Sequence, residues 1–443
     1  MTRLSVFNLT LITVCSVDSI RNLPAAALAG SQLVNYFILA LIFFLLPCAI
    51  ISIWFSRQSD QGIYGWVKKG LGINSAFAAV CFQCFQNVLI YPTLLSFIAG
   101  TLLYTLSPKL SENKFYLFAL IITLIWGLTW VNLKGIRLSS NFNAFCSITG
   151  LLIPFAIILI MGFYWWLTQT NGEENLLPTA TPYSWTSLTA IILSFCGIEL
   201  AAVHAEESQP EAFPKAIYSS VLIIFFSMLF GALILAMIIP ANKLNFISSI
   251  PQLVQLFCTK MNCNNLAFII NGLIAIGCIG AANNWLIAPI KGLGFAAKDG
   301  LMDQRLSSLN KNNAPATLLI LQATCVTLIS TLFLIIPSIN SSYWIMLNAA
   351  TQINLLMYLL FFISAIKIVT HNHFRNKARI IITACFGLIG TGVTLLVSLQ
   401  PPEALHFKSQ LTYSLFGGSF LIAISLFPIW AQRKRKTHFN NVR

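Results

Sequence analysis

Two clusters of ionisable and hydroxyl-bearing residues interrupt otherwise apolar stretches of this chain, and its chemistry is expected there. The first reads Thr13-Val14-Cys15-Ser16-Val17-Asp18-Ser19-Ile20-Arg21-Asn22-Leu23-Pro24. At the centre of a hydrocarbon layer an Asp or Arg costs about 2.5–3.5 kcal/mol on insertion scales, so each must face a polar cavity or the other. Two arrangements satisfy that demand. Asp18 and Arg21 can pair with each other at i,i+3 and simply hold the segment together. Alternatively, the side chains and loosened backbone of Cys15, Ser16, Val17, Asp18 and Arg21 contact a polar ligand. Pro24 has no N–H to donate and disfavours helix at Leu23, which predicts an interruption here.

The second cluster reads Ser194-Phe195-Cys196-Gly197-Ile198-Glu199, at the end of a charge-free run from Asn175. Gly197 permits unwinding and close approach of a ligand. A carboxyl at membrane depth is a functional-site candidate by default, so Glu199 is expected to exchange a proton or switch a gate. The competing reading is a neutral, hydrogen-bonded structural glutamate. His204 is expected to be interfacial. Further along, Asn283-Asn284-Trp285 interrupts the small-residue run Ile276–Ala282, where Trp285 could stack on a ligand or close over it. Gln83, Gln86 and Asn87 share one helical face and either line a pore or bond a neighbouring helix.

Enzymatic chemistry finds no support. The chain lacks GxGxxG, GxxxxGK[ST] and HExxH, so no nucleotide, cofactor or metal site is expected. Cys81 and Cys84 match CxxC in spacing, yet they lie within an apolar span, where redox or zinc use is not expected. Cys258 and Cys263 flank a polar loop, where either a disulfide or two free thiols would fit.

The elements that must position these residues follow from composition. Hydrophobic residues make up 57% of the 443 and charged residues only 9%, with a mean hydropathy of +0.80. So little charge cannot coat a water-facing surface, and the lipid bilayer must be the main partner. Taking about 20 apolar residues per crossing, twelve spans are predicted. They are Leu4–Gly30, Leu33–Phe55, Ile73–Leu106, Phe115–Asn132, Asn143–Thr168, Thr186–His204, Ala216–Pro240, Leu266–Lys291, Ala316–Ile339, Tyr343–Lys367, Ile380–Leu399 and Leu411–Trp430. The first is read as a retained span, since it holds Asp18 and Arg21 and lacks a small-residue cleavage site.

The net charge of +14 points to topology and not to nucleic acid, because the basic residues sit in short loops without interleaved aromatics. With the N-terminus inside, twenty of the 26 Lys and Arg fall on the cytoplasmic face and five on the other, Arg21 lying within a span. That bias predicts an N-in, C-in arrangement. The first and sixth spans are the oddly polar ones, each interrupted near its middle, and each opens one five-span half. Paired interruptions at matching positions point to an inverted-repeat transporter with its site between them. Without a nucleotide-binding loop, such transport would run on gradients.

Five stretches carry a family likeness. They are Gly62-Ile63-Tyr64-Gly65-Trp66-Val67; Ile192–Glu199; Glu206-Glu207-Ser208-Gln209-Pro210 with Phe213-Pro214-Lys215-Ala216-Ile217; Trp285 with Pro289; and Ala297-Lys298-Asp299-Gly300-Leu301 with Asn310-Lys311-Asn312-Asn313-Ala314-Pro315. In this order and spacing they resemble the amino acid–polyamine–organocation superfamily of permeases, and within it the bacterial glutamate/γ-aminobutyrate antiporter branch. The resemblance implies an all-α polytopic membrane protein with a LeuT-type 5+5 inverted repeat plus two C-terminal helices. Residues 1–168 and 186–367 would be the repeats, 380–432 the last two spans and 433–443 a basic cytoplasmic tail. The chain would sit in the bacterial cytoplasmic membrane.

The same likeness implies that the backbone around Cys15, Ser16 and Val17 meets a substrate carboxylate. Carbonyls of Ser194, Phe195 and Cys196 would meet its amino group, Trp285 would wall the pocket, and Glu199 would serve in gating or proton coupling. The sequence departs from the family where a Gly-Ser-Gly-type break gives way to Cys15-Ser16-Val17-Asp18, so that Asp18 could instead hold a cationic amine. It also has no Lys within span five, which favours exchange over proton symport, and no long C-terminal plug follows span twelve. The expected function is therefore exchange of a small amino acid or amine. The alternatives are a proton- or sodium-coupled importer, or a transport-dead sensor on the same fold.

Overall fold

The computed structural model describes residues 5–440 except 60, 135–145, 147, 170–184, 205–210, 303–307, 313, 372–373, 375 and 402–408. The Glu206–Pro210 stretch and the side chains of Ser16 and His204 lie outside the described residues. Every described regular element is a helix, as a lipid solvent requires when each peptide group must find its partner within its own segment. Among the described residues, nine helices are long and apolar enough to cross a membrane. They are accompanied by two shorter apolar ones, Ile153–Thr168 and Thr186–Ala201.

The chain opens with α1 (Val6–Val17), capped by Ser5, whose hydroxyl accepts from the Asn8 N–H. A break and a 3-10 turn (Ile20–Asn22) lead into α2 (Leu23–Ala27). Then come α3 (Gly30–Ser56), α4 (Gly62–Leu71), α5 (Ile73–Leu106) and α6 (Lys114–Leu133). Next are α7 (Ile153–Gln169), entered through a wide turn at Ile148–Leu152, and α8 (Thr186–Ser194). After a second break and a 3-10 stretch (Ile198–His204) come α9 (Ala212–Ile238), α10 (Ser249–Lys260) and α11 (Asn264–Lys298). The chain ends with α12 (Ala316–Ser330), α13 (Ile339–His371), α14 (Lys377–Val397) and α15 (Gln410–Asn440).

Long helices α5, α11 and α13 form the heart of the bundle, α5 packing along both of the others. The apolar window of α5 is 72% buried and that of α15 only 6%, so α5 is central and α15 peripheral, with most of its apolar surface uncovered by the rest of the chain. The wide turn before α7 lies directly on α11. A Cβ placed at Gly150 would fall 2.1 Å from the backbone of Gly277. Two chains can approach this closely only where neither carries a side chain.

Both predicted interruptions are present, but the first has a different cause from the one the sequence suggested. Leu23 is helical (φ −56, ψ −44) and Pro24 lies in the first turn of α2, where a missing N–H would have gone unused anyway. Pro24 thus starts a helix instead of breaking one. The break belongs to Asp18 and Ser19, both extended (ψ 133 and 112). In the second interruption α8 ends at Ser194, and Gly197 takes φ +110, a conformation open to glycine. The polar run Asn283–Trp285 leaves α11 continuous.

Candidate functional site

Cys15, Ser16 and Val17 form the last turn of α1, with the Asp18 N–H closing it onto the Val14 carbonyl at 2.8 Å. The loosened backbone begins one residue later, at Asp18 and Ser19. The first N–H groups of the segment that restarts at Ile20 have no partner within it, as at any helix start. The start of this chain is held in place from α9: Thr10 donates to the Ala216 carbonyl and Ser220 donates back to that of Thr10, each at 3.4 Å.

Asp18 and Arg21 do not pair with each other: among the described residues no ion pair joins them. Extended backbone at 18 and 19 removes the helical spacing that an i,i+3 pair needs. Asp18 Oδ2 instead accepts from Ser227 Oγ on α9 at 2.7 Å, while Oδ1 has no partner. Arg21 donates through Nη1 to Thr93 Oγ1 on α5 at 3.1 Å, and its Nε has no acceptor. Both residues are buried.

At the second break, α8 ends with side chains folded back on its own last turn. Ser194 Oγ bonds the Ala190 carbonyl (2.8 Å) and Cys196 Sγ bonds that of Ile192 (3.4 Å). The last carbonyls of a helix have no intrahelical partner. Phe195 anchors the turn in the core by an edge-on contact with Phe37 (5.7 Å). The Gly197 N–H points to Glu199 Oε2 (3.1 Å) and to Tyr358 Oη (3.0 Å), and the Tyr358 hydroxyl donates to Glu199 Oε2 (2.6 Å). Glu199 thereby ties the unwound peptide to α13.

Trp285 covers this turn from α11. A Cβ on Gly197 would stand 3.2 Å from the indole. The Trp285 carbonyl is itself held by Asn87 Nδ2 at 2.8 Å.

The two breaks open onto one shared cleft. Its walls include Cys15, Val17, Asp18 and Arg21 from the first break, Cys196 from the second, and Trp285. Ser194, Phe195, Gly197 and Glu199 do not line it; they hold the turn from behind. Asn22 and Gln86 also face it; Gln86 was among the residues expected to line a pore or bond a neighbouring helix, whereas Asn22 was not singled out by the sequence. Four buried polar atoms on its lining residues lack partners: Asp18 Oδ1, Arg21 Nε, Asn22 Oδ1 and Gln86 Oε1. Buried polar groups are normally satisfied, so these four atoms leave the cleft open to a further polar partner.

The face of Gln83, Gln86 and Asn87 divides its work, since Gln86 lines the cleft while Asn87 bonds a neighbouring helix. Asn283 is engaged with Asn132 of α6. Ser227 and Tyr358 carry no sequence signal of their own, sitting among ordinary helical residues on α9 and α13.

Two of the quoted motifs meet away from the cleft. Lys68 and Tyr64 on α4 both bind Asp299, just beyond α11, the ammonium at 2.5 Å. The Lys68 contact, followed by that of Tyr64, holds the Asp299 carboxyl below its ordinary value. At the other side of the chain Cys258 and Cys263 are free thiols. Burial and the neighbouring Cys263 push Cys258 up to about 11.

A profile of the amino acid permease family matches residues 4–422. The chain is 31% identical to an uncharacterized transporter of Legionella pneumophila, with 98% of this chain and 97% of the relative covered. It is 24% identical to a glutamate/gamma-aminobutyrate antiporter of Lactococcus lactis, over 93% of this chain and 87% of that one. A putrescine transporter of Haemophilus influenzae is 24% identical over 53% of this chain and 54% of its own length.

Proposed function

Because the chain belongs to the amino acid permease family, within the amino acid–polyamine–organocation superfamily, we propose that it exchanges amino acids or closely related amines across a bacterial cytoplasmic membrane. It is a multi-pass membrane protein and a transporter, not an enzyme. The substrate sits in the cleft where the two broken segments meet. The observation that carries this reading is that four buried polar atoms without partners, from both charged residues of the first break and two neighbours, lie together on that one cleft.

In this reading α1 with α2 is the first of twelve spans and α8 with its 3-10 continuation the sixth. Residues 1–168 and 186–367 are the inverted repeats, 380–432 the last two spans, and both termini are cytoplasmic. Alternating access then rocks one repeat against the other around a fixed site. The loosened backbone at Asp18 and Ser19 and the carbonyls near Cys196 are the parts that can re-form around a ligand. Glu199 acts from behind: by holding the Gly197 N–H and Tyr358 it sets the position of the second turn, and a change in those bonds gates the cleft. Glutamate and γ-aminobutyrate are the first substrates to try, given the names of the relatives.

Proteoliposomes test the exchange. Labelled amino acid is expected to enter only vesicles preloaded with an unlabelled substrate. Equal uptake into empty vesicles overturns antiport, and uptake that follows an imposed proton or sodium gradient favours the coupled importer.

A further inference from the structure

Resting on the transport reading above, we infer that Arg21 is the residue that selects substrates bearing a carboxylate and rejects diamines. The inference starts from two buried ionisable groups that share a cleft without pairing with each other. Arg21 spends one N–H on a neutral hydroxyl, that of Thr93, and leaves Nε without an acceptor. Asp18, three residues earlier, turns Oδ2 to Ser227 and keeps Oδ1 unpaired. The Tyr343 hydroxyl lies close to Arg21 but completes no hydrogen bond in this arrangement.

A guanidinium removed from water without a carboxylate partner is costly, and a buried charge kept at membrane depth marks a substrate pathway. The fork of a guanidinium suits a carboxylate, which can take two parallel N–H bonds. An amino acid supplies both missing partners at once, its ammonium facing Asp18 and its carboxylate facing Arg21. A diamine satisfies Asp18, but its second ammonium meets a like charge and leaves the Arg21 Nε unpaired. The cleft therefore discriminates by a repulsive element as well as an attractive one, which is how large preferences are built.

The purified full chain is screened for shifts in melting temperature with the standard amino acids, γ-aminobutyrate and putrescine, and the same compounds are then compared in counterflow. At least one carboxylate-bearing amine is expected to bind about tenfold or more tightly than putrescine. Arg21→Gln is expected to erase that ratio by weakening the amino acid and admitting putrescine, whereas Arg21→Lys, which keeps the charge, preserves the order. Wild-type protein that binds putrescine as well as its best amino acid overturns the assignment. So does R21Q with an unchanged ratio. If R21Q does not assemble, the wild-type ranking and R21K decide. Selective binding without counterflow keeps the assignment and removes the exchange reading; counterflow without discrimination does the reverse. Neither binding nor counterflow of any compound overturns both.

Discussion

Gly197 is the residue at which the importance of unwound backbone can be measured. Its φ of +110 is one that a side chain adopts only under strain, and a Cβ there would stand 3.2 Å from Trp285 Cζ2 and 3.4 Å from Cη2. Gly197→Ala therefore adds two penalties. The backbone strain is worth about 1–3 kcal/mol for a residue held in a sparsely populated region. The indole must also give way by a few tenths of an ångström. If the peptide rotates to escape, its N–H leaves both Glu199 Oε2 and Tyr358 Oη, and the turn loses its tie to α13. A penalty of about 1–3 kcal/mol corresponds to roughly a 5- to 150-fold fall in the ratio of the native turn to its rearranged form. The counterflow rate per folded protein, read beside the melting temperature, should fall by up to that factor. The double variant Gly197→Ala/Trp285→Leu relieves the contact but not the φ strain, so, compared with Trp285→Leu alone, it should show a smaller drop in melting temperature than Gly197→Ala does against the wild type. G197A with wild-type counterflow and wild-type melting would refute the view that this turn needs its left-handed peptide.

Two further outcomes follow from the geometry. Asp299, held below its usual value of 3.8 by Lys68 and Tyr64, contributes stability that is fully present above that value and is lost as pH falls through the depressed one. The melting temperature of the wild type should therefore drop more steeply than that of Asp299→Asn between about pH 4 and pH 2. The pair is partly exposed, so the difference should be under about 1 kcal/mol; parallel profiles would exclude the link. Gly277→Leu forces a side chain against the Gly150 backbone 2.1 Å away, which has no flexible end to yield. Its cost should reach or pass the top of the ~1–3 kcal/mol range for overpacking, seen as lost monodisperse protein on gel filtration. Gly272→Ala, one turn away with nothing within 4 Å, should match the wild type.

Much of the site was legible because membrane burial makes polar residues conspicuous. Asp18, Arg21 and Glu199 stand out in apolar runs for the same energetic reason that they face the interior of the bundle. Both interruptions were predicted on that ground, and Gly197 was identified as the residue permitting the second. Pro24 was misread because a proline is a breaker or a starter depending on whether the helix has already begun, and residue order alone does not say which. Asn22 and Gln86 were legible as polar residues in apolar runs. Their unpaired oxygens, however, depend on what the neighbouring helices leave unsatisfied.

By itself the sequence determined the class of this protein. So few charges among so many apolar residues leave a helical membrane bundle as the way to satisfy every peptide group, and Gly197 made the second interruption readable from residue type. Only the tertiary structure decided which partner each of these residues takes. Asp18 turned to Ser227 across to α9, Arg21 to Thr93 on α5, and Glu199 to Tyr358 on α13. Partners that lie 209, 72 and 159 residues away along the chain are chosen by how helices pack. A side chain at a break has no helical neighbour to prefer, so it takes the partner that packing presents.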